Sequence, residues 1–83
     1  MRIVIIEDEK PAANLLRMQI KRHFPDAEII NNLDSVSNSV RWFQQNNQPD
    51  LIFSDIQLAD GISFSIFEKI SLSTPIIFTT AFD

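Results

Sequence analysis

Four residues have the types and positions to do chemistry together: Glu7, Asp8, Asp55 and Thr80. Glu7 and Asp8 follow directly on the apolar run RIVII (2–6), Asp55 ends DLIFSD (50–55), and Thr80 lies near the end of PIIFTTA (75–81). Carboxylates held close together repel, and each raises the others' pKa unless a cation compensates. Mg2+ is such a cation: it takes oxygen ligands, keeps several waters, and is commonly held by one or two carboxylates plus a phosphate oxygen. If the first and third runs end side by side, Asp8 and Asp55 are the expected direct ligands. Glu7, one methylene longer, is expected to act through a water, and the backbone carbonyl of Gln57 can reach the same ion from the following loop. Successive strand residues point to opposite faces, so only one of Thr79 and Thr80 can face this cluster. Thr80 is the better candidate, because small Ala81 beside it leaves room for a group to approach, and its hydroxyl can hydrogen-bond a phosphoryl oxygen.

The elements that must position these residues follow from periodicity. RIVII and DLIFSD are short apolar runs without polar alternation, as expected of strands covered on both faces; AEIINN (27–32) reads as a short second strand and PIIFTTA as a fourth, buried one. Between the first two, Pro11 suits the first turn of a helix, with acidic Glu9 favourable near its N-terminus. Ala12, Leu15, Leu16, Ile20 and Phe24 repeat at helical spacing until Pro25 stops the segment. Asp34 or Ser35 can cap a second helix in which Val36, Val40 and Phe43 share a face. A third helix is expected from Ser63 to about Ile70, with Phe64, Phe67 and Ile70 inward. The order β-α-β-α-β-α-β predicts a doubly wound, mainly parallel α/β sheet with right-handed crossovers. Such sheets bind ligands at the carboxyl ends of the strands, where the winding reverses, and flavodoxin-like order (2-1-3-4) puts strands one and three together there.

Composition narrows the classes. The chain has 83 residues and is 45% hydrophobic with seven Phe, so it is one small globular domain. It has no cysteine, hence no disulfide or cysteine-ligated metal site. A single glycine, Gly61, excludes both common glycine-rich phosphate cradles. A net charge of −4 argues against this chain itself holding a nucleic-acid backbone. There is no signal-like or membrane-length segment, so the expectation is a cytoplasmic chain with no membrane partner.

The acidic pair in IIEDE, the strand-terminal aspartate in LIFSDIQLADG and the threonine–alanine pair in IIFTTAFD resemble, in order and across the whole chain, the receiver domains of bacterial two-component response regulators. SDIQLADGISFSIFEKI looks most like the subgroup that carries a LytTR-type DNA-binding output domain. The resemblance implies that Asp55 accepts a phosphoryl group from a sensor histidine kinase with Mg2+, and that Thr80 then moves toward it. The domain would be a switch that catalyses only its own modification, and DNA would be contacted only through an output domain absent here. It also implies a fourth helix, a fifth strand ending in a lysine and a fifth helix beyond Asp83. Residues 1–83 are therefore expected to be the N-terminal portion of a receiver, and none of Lys10, Lys21 and Lys69 takes that lysine's place. The apolar fourth strand is expected to be an edge available for self-association.

Two other classes stay open. A receiver-like module that dimerises without being phosphorylated fits the missing lysine. A Mg2+-dependent phosphohydrolase with an aspartate nucleophile, similar to the haloacid dehalogenase group, would need a second aspartate where Gln57 stands. Glu7, Asp8 and Glu9 also suit an acidic helix start, and Asp60-Gly61 suits a plain turn.

Overall fold

The computed structural model describes residues 1–79. The first apolar run forms β1 (Arg2–Ile6), and Ile3, Val4, Ile5 and Ile6 are fully buried because both faces of this strand are covered. Ile3 and Ile5 pack on one side with Ile20 and Ala27, while Val4 and Ile6 pack on the other with Val36, Phe43, Ile52 and Ile66. Removing each such side chain from water contributes about 1.5–3 kcal/mol.

Helix α1 (Lys10–His23) has Pro11 in its first turn and Lys21, Arg22 and His23 in its last, where positive charge favours the C-terminal dipole. Strand β2 (Glu28–Leu33) and helix α2 (Val36–Gln45) follow. Ser35 is the cap of α2, its hydroxyl accepting the Asn38 N–H at 3.0 Å, and Asp34 instead accepts from the Asn38 side chain at 2.9 Å. Val36 and Phe43 are buried, and Val40 packs against them, as their spacing predicts. Strand β3 (Leu51–Asp55) leads into β4 (Gln57–Leu58) and β5 (Gly61–Ile62), then α3 (Phe64–Lys69) and β6 (Ile76–Thr79). The main sheet runs β2-β1-β3-β6 with all pairs parallel, so the predicted order holds, the expected fourth strand being β6.

Four expectations need correction. The buried stripe of α1 is Ala13, Leu16 and Ile20, not a face containing Leu15 and Phe24, which are 56% and 46% exposed. At 3.6 residues per turn Leu15 falls nearly opposite Ala13, and Phe24 lies past the helix end. Phe64 is likewise 47% exposed, while Ile66 is the fully buried residue of α3 and Phe67 and Ile70 pack against the same core. Phe64 sits edge-on to Phe78, ring centroids 4.9 Å apart. The segment after Asp55 is no plain loop: β4 and β5 form an antiparallel hairpin, Gln57 opposite Ile62 and Leu58 opposite Gly61. Finally, β2 begins one residue later than expected, and the predicted last strand continues into Thr80 and Ala81, which lie outside the described residues.

Among the described residues, the chain's one glycine occupies the one position with positive φ. Gly61 has φ +147°, a region that L side chains rarely adopt, whereas a Cβ there would meet only Val36 Cγ2, at an ordinary 3.7 Å. The constraint is conformational, not steric. Gly61→Ala is expected to cost about 1–3 kcal/mol, seen as a lower urea midpoint at unchanged slope; a midpoint equal to wild type would contradict this account of the turn.

Candidate metal centre

The register of β1 on β3 places the acidic residues. Ile6 stands opposite Ser54, so Glu7 and Asp55 leave adjacent parallel strands at the same level of the rim. The Glu7 N–H continues the ladder to the Leu33 carbonyl at 2.9 Å. The Asn32 side-chain amide donates to the carbonyls of Glu7 at 3.2 Å and Leu33 at 3.3 Å. These bonds tie the Glu7 backbone to the end of β2. On the other strand, the Ser54 hydroxyl donates to the Asp55 carbonyl at 2.9 Å, and Asp55 Oδ1 accepts the Ile56 N–H at 2.8 Å. Asp55 also pairs in register with Thr79 of β6.

Glu7, Asp8 and Asp55 therefore converge: each offers a carboxylate oxygen, and these oxygens lie within 4.8 Å of one another. Glu7 is the buried member, and Asp8 and Asp55 are half-buried. Its burial pushes the Glu7 carboxyl above the ordinary glutamate value, the Glu9 N–H donating at 3.1 Å pulls the other way, and the charges of Asp55 and Asp8 add to the rise. A desolvated carboxylate beside two others is an expensive arrangement for a protein to retain without a compensating positive charge. All the donors are hard oxygens, which suits Mg2+ or a similar cation better than a transition metal.

Two spaces open on this cluster. Asp8 and Asp55 line an open pocket of about 450 Å³ whose floor is the loop through Ile56, Gln57 and Leu58. Glu7 instead lines a smaller space of about 260 Å³ behind it, with Lys10, Asn32 and Asp34. A larger cavity of about 820 Å³ lies at the opposite, amino-terminal end of β3 and β6. It is organised around a staple, Gln48 Oε1 accepting from the amides and hydroxyls of both Ser73 and Thr74, and its charged lining among the described residues is Asp50 and Lys69. The converging carboxylates lie at the other end, at the carboxyl ends of β1 and β3.

Of the residues expected from sequence, Glu7, Asp8, Asp55 and Gln57 are brought to one rim; Thr80 lies outside the described residues. Sequence reasoning missed Asn32 and Asp60. Asn32 sits in a run read only as strand, and Asp60 was expected to be no more than a turn residue. Its carboxylate in fact accepts the Val36 N–H at 2.8 Å and the Ser37 N–H at 3.2 Å, which holds its pKa below the ordinary aspartate value. No local pattern signals a contact across 24 residues of chain.

No protein-family model matches the chain. It is 31% identical over 86 aligned residues to the sensory transduction protein LytT of Bacillus anthracis, covering all of this chain and 34% of that protein. The chain thus spans about a third of the length of the curated relatives it matches. Among solved structures, the response regulatory domain of protein mrkE from Klebsiella pneumoniae superposes with a TM-score of 0.79 at 29% identity, over 99% of this chain and 68% of that one. The response regulator PhyR from Brucella abortus gives 0.75 at 27% identity, over 98% of this chain and 33% of that one. The order of the sheet, the acidic rim and these likenesses, which span nearly all of this chain, agree in matching it to the receiver domains of two-component response regulators.

Proposed function

We propose that this chain is a phosphoryl-accepting receiver, with Asp55 as acceptor and a phosphohistidine on a sensor histidine kinase as donor. The observation that carries it is the convergence of Glu7, Asp8 and Asp55 at the junction of β1 and β3, with Asp55 facing an open pocket. An Asp55 carboxylate oxygen forms a bond to phosphorus as the P–N bond breaks. The imidazole leaves with the electron pair and takes up a proton, and the product is an acyl phosphate on Asp55. Asp8 and Asp55, which line the pocket, would hold Mg2+ directly, with the Gln57 carbonyl from the loop and Glu7 through a water; when bound, the ion supplies neutralisation of the phosphoryl oxygens.

The chain's own groups prepare this step. The Ile56 N–H occupies one lone pair of Asp55 Oδ1 and fixes the rotation of the carboxylate, so the approach to phosphorus is set before the donor arrives. Thr80 is our candidate for hydrogen-bonding the transferred group and moving toward it, which would bias a surface read by an output domain. That output, DNA-binding in the LytTR manner, is part of the proposal. A second role is favoured by one observation: Ile77 and Phe78 on β6 are 46% and 39% exposed, an apolar strand suited to pairing with another copy.

Incubation with Mg2+ and a small acyl phosphate, followed by intact mass, tests the acceptor. The expected result is one phosphoryl adduct that disappears in Asp55→Asn and on chelation of the metal. An adduct that persists in Asp55→Asn contradicts the assignment, and no adduct together with no Mg2+ binding favours the passive association module.

The raised pKa of Glu7 gives a second test. Because its folded value lies above 4.5, Glu7 supports the fold fully below pH 4.5 and loses that contribution as pH rises through the folded value. At neutral pH the charged group therefore opposes folding of metal-free protein. Glu7→Gln, whose amide oxygen can keep the Glu9 bond, is expected to raise the Tm of that form. The same substitution should weaken Mg2+ binding. A lower Tm in metal-free Glu7→Gln would contradict this view of the cluster.

A further inference from the structure

The loop that follows Asp55 is fastened at a distance. It is closed on itself, the Ser63 N–H donating to the Ile56 carbonyl at 2.8 Å and Gln57 pairing with Ile62, and it is anchored in the core by Leu58, 2% exposed. A unit closed in this way shifts as a body, so one further point of attachment fixes all of it, Gln57 included. That point is Asp60. Val36 and Ser37 are the first two residues of α2, whose amides have no intrahelical acceptor. Ser35, the helix's own cap, takes the third amide, that of Asn38, and leaves the first two to Asp60. The same junction of β2 and α2 also holds the other acidic strand end, through Leu33 accepting from Glu7 and Asn32 donating to it.

We propose that Asp60 is a positioning residue of the acidic site. Its carboxylate straps the Ile56–Ser63 loop to the N-terminus of α2 and so sets where Gln57 stands relative to Asp8 and Asp55. This rests on the acidic cluster being the metal-assisted phosphoryl acceptor proposed above. A helix cap serving only α2 would alter stability and nothing else. A strap would alter the metal site even where the protein is fully folded.

The test is calorimetric titration with magnesium chloride, at a temperature where circular dichroism shows every variant folded. Asp60→Ala is expected to raise the Kd for Mg2+ about tenfold, the lower end of what losing an outer support costs a metal site. Asp60→Asn should fall between, since its amide oxygen keeps the bond from Val36. Ser35→Ala removes the other cap of the same helix without touching the loop; it is expected to lower Tm and leave the Kd at the wild-type value. Asp60→Ala binding Mg2+ like wild type overturns the positioning role and leaves the proposed function standing. Ser35→Ala weakening binding as much as Asp60→Ala also overturns it. If Asp60→Ala does not fold, Asp60→Asn decides, an unchanged Kd overturning the role. Wild-type protein that binds no Mg2+ overturns both.

Discussion

Three like charges held at the mouth of two neighbouring strands are the constraint on which this structure turns. Glu7, Asp8 and Asp55 place their oxygens within 4.8 Å of one another, and the most buried of them, Glu7, is held in an environment that disfavours its charge. A fold selected for stability alone would replace one of these groups by an amide or an apolar side chain, because an uncompensated buried carboxylate costs more than it contributes. Strain of this kind concentrates at functional sites, where a ligand relieves it.

Everything around the cluster works to keep it assembled. The β1–β3 register aligns the two acidic strand ends, and Ile3 to Ile6 lock β1 by burial on both faces. Two polar ties then hold the backbone beyond the strands: Asn32 on the first acidic turn, and Asp60 on the loop after Asp55. Both lead to the junction of β2 and α2, which links the two halves of the site. The opposite end of the molecule has a different character, with the Gln48 staple joining the segments that enter β3 and β6 through neutral hydrogen bonds.

Much of this was legible in the chain, for physical reasons that can be named. Strands buried on both faces cannot alternate, so RIVII and LIFSD announce a parallel sheet, and that topology alone brings residues 48 positions apart to one rim. Helix faces were less legible. On α1 the apolar residues spread around the helix, and only packing decides that Ala13 and Ile20 go inside while Leu15 and Met18 stay out. On α3 the buried residue is Ile66, because a helix of six residues is oriented by its neighbours and not by its own pattern. The hairpin after Asp55 was hidden for the same reason: a two-residue strand has no periodicity, and Gly61 signals a turn without saying what the turn joins. Asp60 shows the limit most clearly, since its partners are distant in sequence.

The central claim is that the ends of β1 and β3 share one divalent ion. The most direct measurement is Mn2+ titration of isotopically labelled protein, followed by paramagnetic broadening of the amide signals. Asp8 and Glu9 are expected to broaden together with Ile56 and Gln57 at low Mn2+, while signals around Gln48 at the far end stay sharp. Broadening confined to one of the two acidic ends, or spread evenly over the surface, would contradict it.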